Sequence, residues 1–244
     1  MIGIISMATD LIFSLLTLPI LWYLYNHYRF IELEQDSIIT FCVLFILIDF
    51  TEYWFHRLSH EINLLWSAHV VHHQSEFFYL SVGIRTSFFV PLFNIFFYLI
   101  FPVLGFSPDM LLLIIFIQGI YQLLIHTELI GRLGFLEYIL VTPSAHRVHH
   151  GKNDIYIDKN YGKIFIIWDF VFHSYQKEIE EVIYGLNKTI EVKGFIRSMT
   201  EPYRTMAKAY RKLEVKKYRR AVIFKKPDRA AELYDSVLKK ATDN

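Results

Sequence analysis

The chain has a single cysteine among its 244 residues, Cys42, and it sits inside an apolar run. One thiol excludes a disulfide framework within the chain and a thiolate metal site. CxxC and CxxCH are absent, which removes dithiol redox chemistry and covalent haem attachment. The motif of the HExxH zinc proteases is missing as well: His60-Glu61 is followed by Leu64 where that motif needs its second histidine. No secretory leader with a small-residue cleavage site is expected. Formal charge is nearly balanced at +1, and no nucleic-acid partner is expected. Internal repeats and low-complexity stretches are lacking, apart from one histidine motif that recurs.

What is abundant is apolar surface. Hydrophobic residues make up 54% of the chain and mean hydropathy is +0.31, values of a membrane protein more than a soluble one. Four apolar runs stand out, at about residues 4–25, 38–54, 88–106 and 110–125. A run of 16 to 19 residues makes a helix of roughly 24–29 Å, enough to cross a bilayer or nearly so. The first run contains Asp10 and Pro19, so a tilted or interfacial helix is its alternative reading. The link Gly105-Phe-Ser-Pro-Asp109 offers a glycine stop, Ser107 as N-cap and Pro108 at the first helical position, and predicts a helical hairpin.

Charge is unevenly placed. Residues 1–174 carry 8 basic and 14 acidic side chains, whereas residues 175–244 carry 17 basic and 10 acidic. The basic end reads as cytosolic, beside an anionic leaflet. Residues 201–220 spell a basic amphipathic helix, either packed on the domain or lying on headgroups. The resulting division is an N-terminal membrane helix and connection over 1–37, a catalytic domain over 38–176 and a basic cytosolic tail over 177–244.

Histidines are concentrated in three boxes: His56 and His60 in HRLSH, His69, His72 and His73 in HVVHH, and His146, His149 and His150 in HRVHH. Random placement would give HxxHH about 0.02 times, and it occurs twice. On a helix, residues three and four apart share a face, so each box aims two or three imidazoles at one point. Neutral imidazole ligates iron, zinc, copper or nickel and brings no charge to offset a dication, so several rings are needed. Eight rings exceed the needs of one ion and predict two metals. Two passes between the second and third boxes return the chain to its starting side, where both boxes can meet.

The order HxxxH, HxxHH, two apolar passes, HxxHH resembles the fatty acid hydroxylase/sterol desaturase superfamily of membrane diiron enzymes. The segments DFTEYWFHRLSHEINLLWSAHVVHHQSEFFYLSVGIRTS and HTELIGRLGFLEYILVTPSAHRVHHGKNDIYIDKNYGKIFIIWDFVF are similar to its alkylglycerol monooxygenase-like members, over roughly residues 49–176. The resemblance implies an all-α integral membrane fold of about four transmembrane helices under a cytosolic, histidine-rich diiron cap. It implies metal ligation by His56, His60, His69, His72, His73, His146, His149 and His150, with His126 of QLLIHTE as a ninth ligand. It also implies a long-chain lipid substrate, dioxygen as co-substrate, and tetrahydrobiopterin if the alkylglycerol relationship extends to function.

Glu61 directly follows the first box, where the alkylglycerol group carries a carboxylate that matters for activity. It is the candidate catalytic residue, bridging a metal, taking a proton or simply forming a salt bridge. Glu52 and Asp49 lie one and two turns before His56, as outer hydrogen-bond partners or interfacial charges. His173 stands where relatives commonly have a small residue and is not expected to ligate. His27, in WYLYNHYRF, reads as a residue of the interfacial belt. Attack on an unactivated C–H bond needs redox-active metal, which zinc cannot supply, and no fused haem or iron–sulfur domain is seen, so an external electron donor is expected. The reading is therefore a lipid oxygenase, hydroxylase, desaturase or ether-cleaving. The alternatives are a zinc-dependent membrane hydrolase and a non-catalytic metal- or lipid-binding membrane protein.

Overall fold

The computed structural model describes residues 2–186 and 194–242. Residues 187–193 and 243–244, within the expected basic tail, lie outside the described residues. Among the described residues the chain is helical, with one isolated antiparallel bridge between Leu140 and Phe165 and no strands. Three helices are long and apolar enough to cross a membrane: α1 (Ile2–Tyr28), α2 (Ile38–Glu61) and α7 (Pro108–Ile125).

Local chemistry explains where these helices begin and end. The hydroxyl of Ser37 accepts from Ile39 N at the start of α2, and the helix runs without interruption through HRLSH, so the first box is the end of a membrane helix. After α2 come α3 (Asn63–His73), which carries HVVHH, and the single turn α4 (Leu80–Gly83). The third apolar run is divided into α5 (Val90–Tyr98) and α6 (Ile100–Leu104). Pro102 is the cause: it has no N–H for the carbonyl of Tyr98, and its ring crowds that carbonyl. The expected hairpin is present. Gly105 closes α6 at φ +100, and a Cβ there would collide with Ile31 O, so only glycine fits. Ser107 then caps α7 by accepting from Met110 N, with Pro108 in the first turn.

α1, α2, α5, α6 and α7 enclose an apolar core of Leu21, Leu44, Ile48, Phe101, Leu111 and Ile114. Burying each such side chain stabilises by roughly 1.5–3 kcal/mol in water; within lipid, close packing takes over that role. The opposite surfaces of α1 and α7 are apolar and exposed, as at Leu15, Leu16, Phe116 and Leu124, which suits lipid contact.

Beyond α7, HRVHH forms α8 (Pro143–His150), started by Thr142 accepting from Ala145 N and by Pro143. The segment after it carries the turn residues Gly151, Asn153, Asp154, Asp158, Asn160 and Gly162, which predict a loop followed by an amphipathic or partly embedded helix. It is an irregular loop with one short helix, α9 (Ile167–Val171), because two buried carboxylates collect its backbone donors. Asp169 accepts from Tyr161 N, Gly162 N and Ser174 Oγ. Asp49, on α2, accepts from Ile164 N, Phe165 N and the Trp168 indole. The loop is thus sewn to a membrane helix.

The C-terminal helices α10 (Phe195–Lys212), α11 (Lys216–Phe224) and α12 (Pro227–Thr242) form a layer against α3. Met199 packs with Val70 and Val71, and Asn63 binds the C-terminal end of α11 through its backbone N–H to Lys225 O and its amide to Val222 O.

Candidate metal centre

The three boxes and His126 converge at one end of the helical bundle into two groups of nitrogens, each within 4.8 Å of one another. His56, His60, His69, His73 and His149 form the first; His72, His126, His146 and His150 form the second. All nine rings named from the sequence are brought together. Glu61 is in neither group: its carboxylate pairs with Arg57 Nε at 2.9 Å, and Arg57 in turn donates to Tyr53 OH and Phe172 O. His27 and His173 lie on the exposed surface away from the groups.

Helix geometry accounts for the division of rings. At 100° per residue, position i+4 lies about 40° to one side of i and position i+3 about 60° to the other, so i+3 and i+4 point about 100° apart. On α3, His69 and His73 therefore serve the first group and His72 turns to the second. On α8 the roles invert, with His146 and His150 in the second group and His149 in the first. His56 and His60, one turn apart at the end of α2, complete the first. His126 comes from the residue that ends α7.

Protonation follows from burial. Desolvation, reinforced by neighbouring rings, holds His69, His72, His73, His146, His149 and His150 well below the ordinary imidazole range. His126 is lowered to about 4 by desolvation. These rings are neutral at pH 7.

The tautomers are set by the outer nitrogens. Nδ1 of His56, His149, His126 and His72 faces the carbonyls of Tyr161, Lys159, Gln122 and Arg85 at 2.9, 2.9, 2.6 and 3.3 Å. A carbonyl only accepts, so in each ring the single N–H is on Nδ1 and the lone pair on Nε2 points inward. His126 Nε2 then faces His72 Nε2 at 3.2 Å, two lone pairs with no proton between them. A cation between the nitrogens resolves that repulsion. Nε2 of His60 and of His150 are buried with no partner among the described residues, which fits the same demand. Nitrogen donors without thiolate or carboxylate suit iron, copper, nickel or zinc.

A cavity of about 380 Å³ opens onto this centre. His56, His69, His72, His126 and His146 line one part of it, and Phe13, Leu21, Leu111 and Ile115, from the membrane-spanning helices, line another. Its size is that of a small-molecule site, and it presents members of both histidine groups. Glu52 lies in its wall, yet its carboxylate is occupied by Lys163 at 2.8 Å and by the Tyr98 hydroxyl. Asp49 and Glu52 thus bind the loop and the cavity wall, with no hydrogen bond to a histidine.

Sequence reasoning did not find the outer partners of the rings. Four are backbone carbonyls, which no residue type announces. The fifth is Asp158, whose Oδ1 lies 3.7 Å from His60 Nδ1 and whose Oδ2 lies 2.7 Å from Lys226 Nζ. The turn residues around it were visible, and Asp158 and Asn160 do adopt left-handed conformations, φ 59 and 54. Which histidine they would face was not.

The profile of the fatty acid hydroxylase family matches residues 41–174, the stretch that supplies every ring of both groups. The chain is 43% identical to alkylglycerol monooxygenase of Xenopus tropicalis over 189 residues, covering 77% of this chain and 42% of that protein. Identity to the Homo sapiens alkylglycerol monooxygenase is 41% over the same shares. Ornithine lipid hydroxylase OlsE of Rhizobium tropici is 30% identical over 188 residues, 75% of this chain and 52% of that protein. The chain spans less than half the length of the alkylglycerol monooxygenases it matches. No solved structure matches it.

Proposed function

The chain belongs to the fatty acid hydroxylase family, and from that premise we propose that it is a membrane-bound diiron oxygenase acting on a long-chain lipid. The observation that carries this reading is the cavity that joins apolar walls of the spanning helices to the shared face of the two histidine groups. A lipid chain has little reason to leave the bilayer unless it enters a comparably apolar space. The relatives named above act, by name, on alkylglycerols and ornithine lipids, which supports an amphiphile with an acyl or alkyl tail.

His56, His60, His69, His73 and His149 would hold one iron, and His72, His126, His146 and His150 the other. Two irons supply the redox chemistry that couples dioxygen to oxidation of an unactivated C–H bond, given electrons from an external donor. Tetrahydrobiopterin is proposed as that donor if the alkylglycerol relationship extends to reaction type. Zinc fits the same nitrogens but lacks redox chemistry.

The protein's own contribution is positional. Carbonyls of residues 85, 122, 159 and 161 fix four imidazoles with Nε2 inward. The spanning helices keep the substrate chain in a dry space beside the rings. Glu61 acts through Arg57, whose guanidinium lies 5.9 Å from the Tyr161 ring; the Tyr161 carbonyl is in turn the partner of His56. We place the boxes on the cytosolic side, because the basic C-terminal segment packs on α3 beside them.

Metal analysis of purified protein and a lipid oxidation assay test the proposal together. The expected result is about two irons per chain and oxygen-dependent consumption of 1-O-hexadecylglycerol or an acyl lipid with a reductant present. Zinc alone with hydrolytic turnover, or no bound metal, would overturn it.

A further inference from the structure

One histidine is supported unlike those whose Nδ1 meets a carbonyl. His60 Nδ1 instead faces the carboxylate of Asp158, at 3.7 Å, and His60 Nε2 is buried with no protein partner among the described residues. The carboxylate's second oxygen is held at 2.7 Å by Lys226. Lys226 lies immediately before α12, some fifty residues beyond the end of the family match at 174.

Its position is not left to a flexible side chain alone. The preceding turn is docked to the base of α3 by two hydrogen bonds, Asn63 N to Lys225 O at 3.0 Å and Asn63 Nδ2 to Val222 O at 2.8 Å. Asn63 follows His60 by three residues. The C-terminal layer therefore grips the end of the first box and the loop after the third at once.

We propose that Asp158 is a positioning residue for the His60 imidazole, and that the C-terminal helical layer, through Lys226, holds it there. A metal-bound imidazole whose other N–H is directed at a carboxylate is held in tautomer and orientation and becomes a stronger ligand; at 3.7 Å the contact here is electrostatic, longer than a hydrogen bond. Here the carboxylate has two demands, one from a histidine side chain that is 9% exposed and one from a lysine side chain that is 44% exposed. The ammonium keeps the carboxylate from turning to solvent, and the left-handed backbone of Asp158 directs it inward. Burial alone would raise the Asp158 carboxyl, yet His60 and Lys226 outweigh it and hold the group well below the usual carboxylate range. Ligand number and outer partner both then distinguish the two metal positions. The five-ring group has a carboxylate behind one ligand; among the described residues the four-ring group has no such partner.

The inference rests on the metal-centre reading above, and its test separates the two. Full-length protein would be stripped of metal, refilled with 57Fe, and compared as wild type, Asp158→Asn, Lys226→Met and Lys226→Arg. Asp158→Asn should weaken iron binding about 10- to 100-fold and shift the Mössbauer quadrupole splitting of one iron position while leaving the other. Lys226→Met should change both in the same direction and Lys226→Arg should restore them. The metal-free transition temperature should differ little among the four proteins. Wild-type iron affinity and spectra in both Asp158→Asn and Lys226→Met would overturn the proposal. So would a loss of metal-free stability that Lys226→Arg restores while iron affinity stays constant, since that marks a purely structural clamp. If wild type binds no iron, the oxygenase reading fails; titration of the same four proteins with Co²⁺ then decides between positioning and clamp by the same criteria.

Discussion

Removing metal should make the folded state acutely sensitive to acid. Seven rings of the two groups lie outside the spanning helices, His69, His72, His73, His126, His146, His149 and His150, and burial lowers each from its ordinary value of 6.5, His126 to about 4. A base whose folded pKa is depressed binds fewer protons folded than unfolded between the two values. Stability is therefore fully present above pH 6.5 and lost as pH falls toward the folded values. At pH 5.5 the unfolded ring gains about 1.4 kcal/mol from protonation that the folded ring forgoes. Seven rings, all neutral in the fold, set an upper bound of about 10 kcal/mol, comparable to the whole 5–15 kcal/mol of a typical domain.

Bound metal opposes this, because two ions each at about a thousandfold excess over Kd return about 8 kcal/mol. The assay is thermal unfolding in detergent, followed by tryptophan fluorescence and near-ultraviolet circular dichroism, at pH 7.5, 6.5 and 5.5 with and without metal. The metal-free protein should lose its transition near pH 5.5 while the loaded protein retains one. A metal-free transition temperature that stays constant from pH 7.5 to 5.5 would mean the rings are not held neutral by burial, and the reasoning fails.

Three further outcomes are expected. Glu61→Gln removes the charge that fixes Arg57 and should lower turnover more than bound iron, measured as product formed beside iron per chain; unchanged turnover would reduce Glu61 to its surface ion pair. Gly105→Ala adds a Cβ that meets Ile31 O and forces a side chain into φ +100, so it should cost more than about 1 kcal/mol of stability, read as a lower transition temperature. Cysteines introduced at Ser75, Asp154 and Lys216 should all be labelled from the cytosolic side; labelling of any one from the opposite side would reject the orientation.

The sequence disclosed the parts of this molecule that depend on short-range order. Ser107 and Pro108 act at the helix start where their chemistry is local, and the histidine spacing specified helices because i, i+3 and i+4 are fixed by the backbone. The division of one apolar run at Leu99 was legible in principle from Pro102, but length and hydropathy dominated the reading. What stayed hidden depends on long-range contact. Three of the four carbonyls behind the rings come from residues 10 to 105 positions away, the fourth from Gln122 one helical turn before His126, and carbonyls look alike in every sequence. Asp49 looked like a partner for histidine and instead holds a loop 115 residues distant, while the carboxylate that does face a box histidine, Asp158, lay in a stretch whose turns were visible and whose target was not.

The inverted division of the two HxxHH boxes bears on how the centre fills. α3 gives two rings to one position and one to the other, and α8 does the reverse, so neither position can be organised while the other is left free. On the two-metal proposal, an ion bound first would fix both helices against each other and against α2, and it would bear the ordering entropy for rings it does not touch. The second ion would enter a position already assembled and bind more tightly than it would alone. Below saturation such a protein would partition into empty and doubly filled molecules, with few half-filled ones. A two-metal reaction gains from this, since a lone redox-active ion beside a lipid chain has no partner to share its electrons.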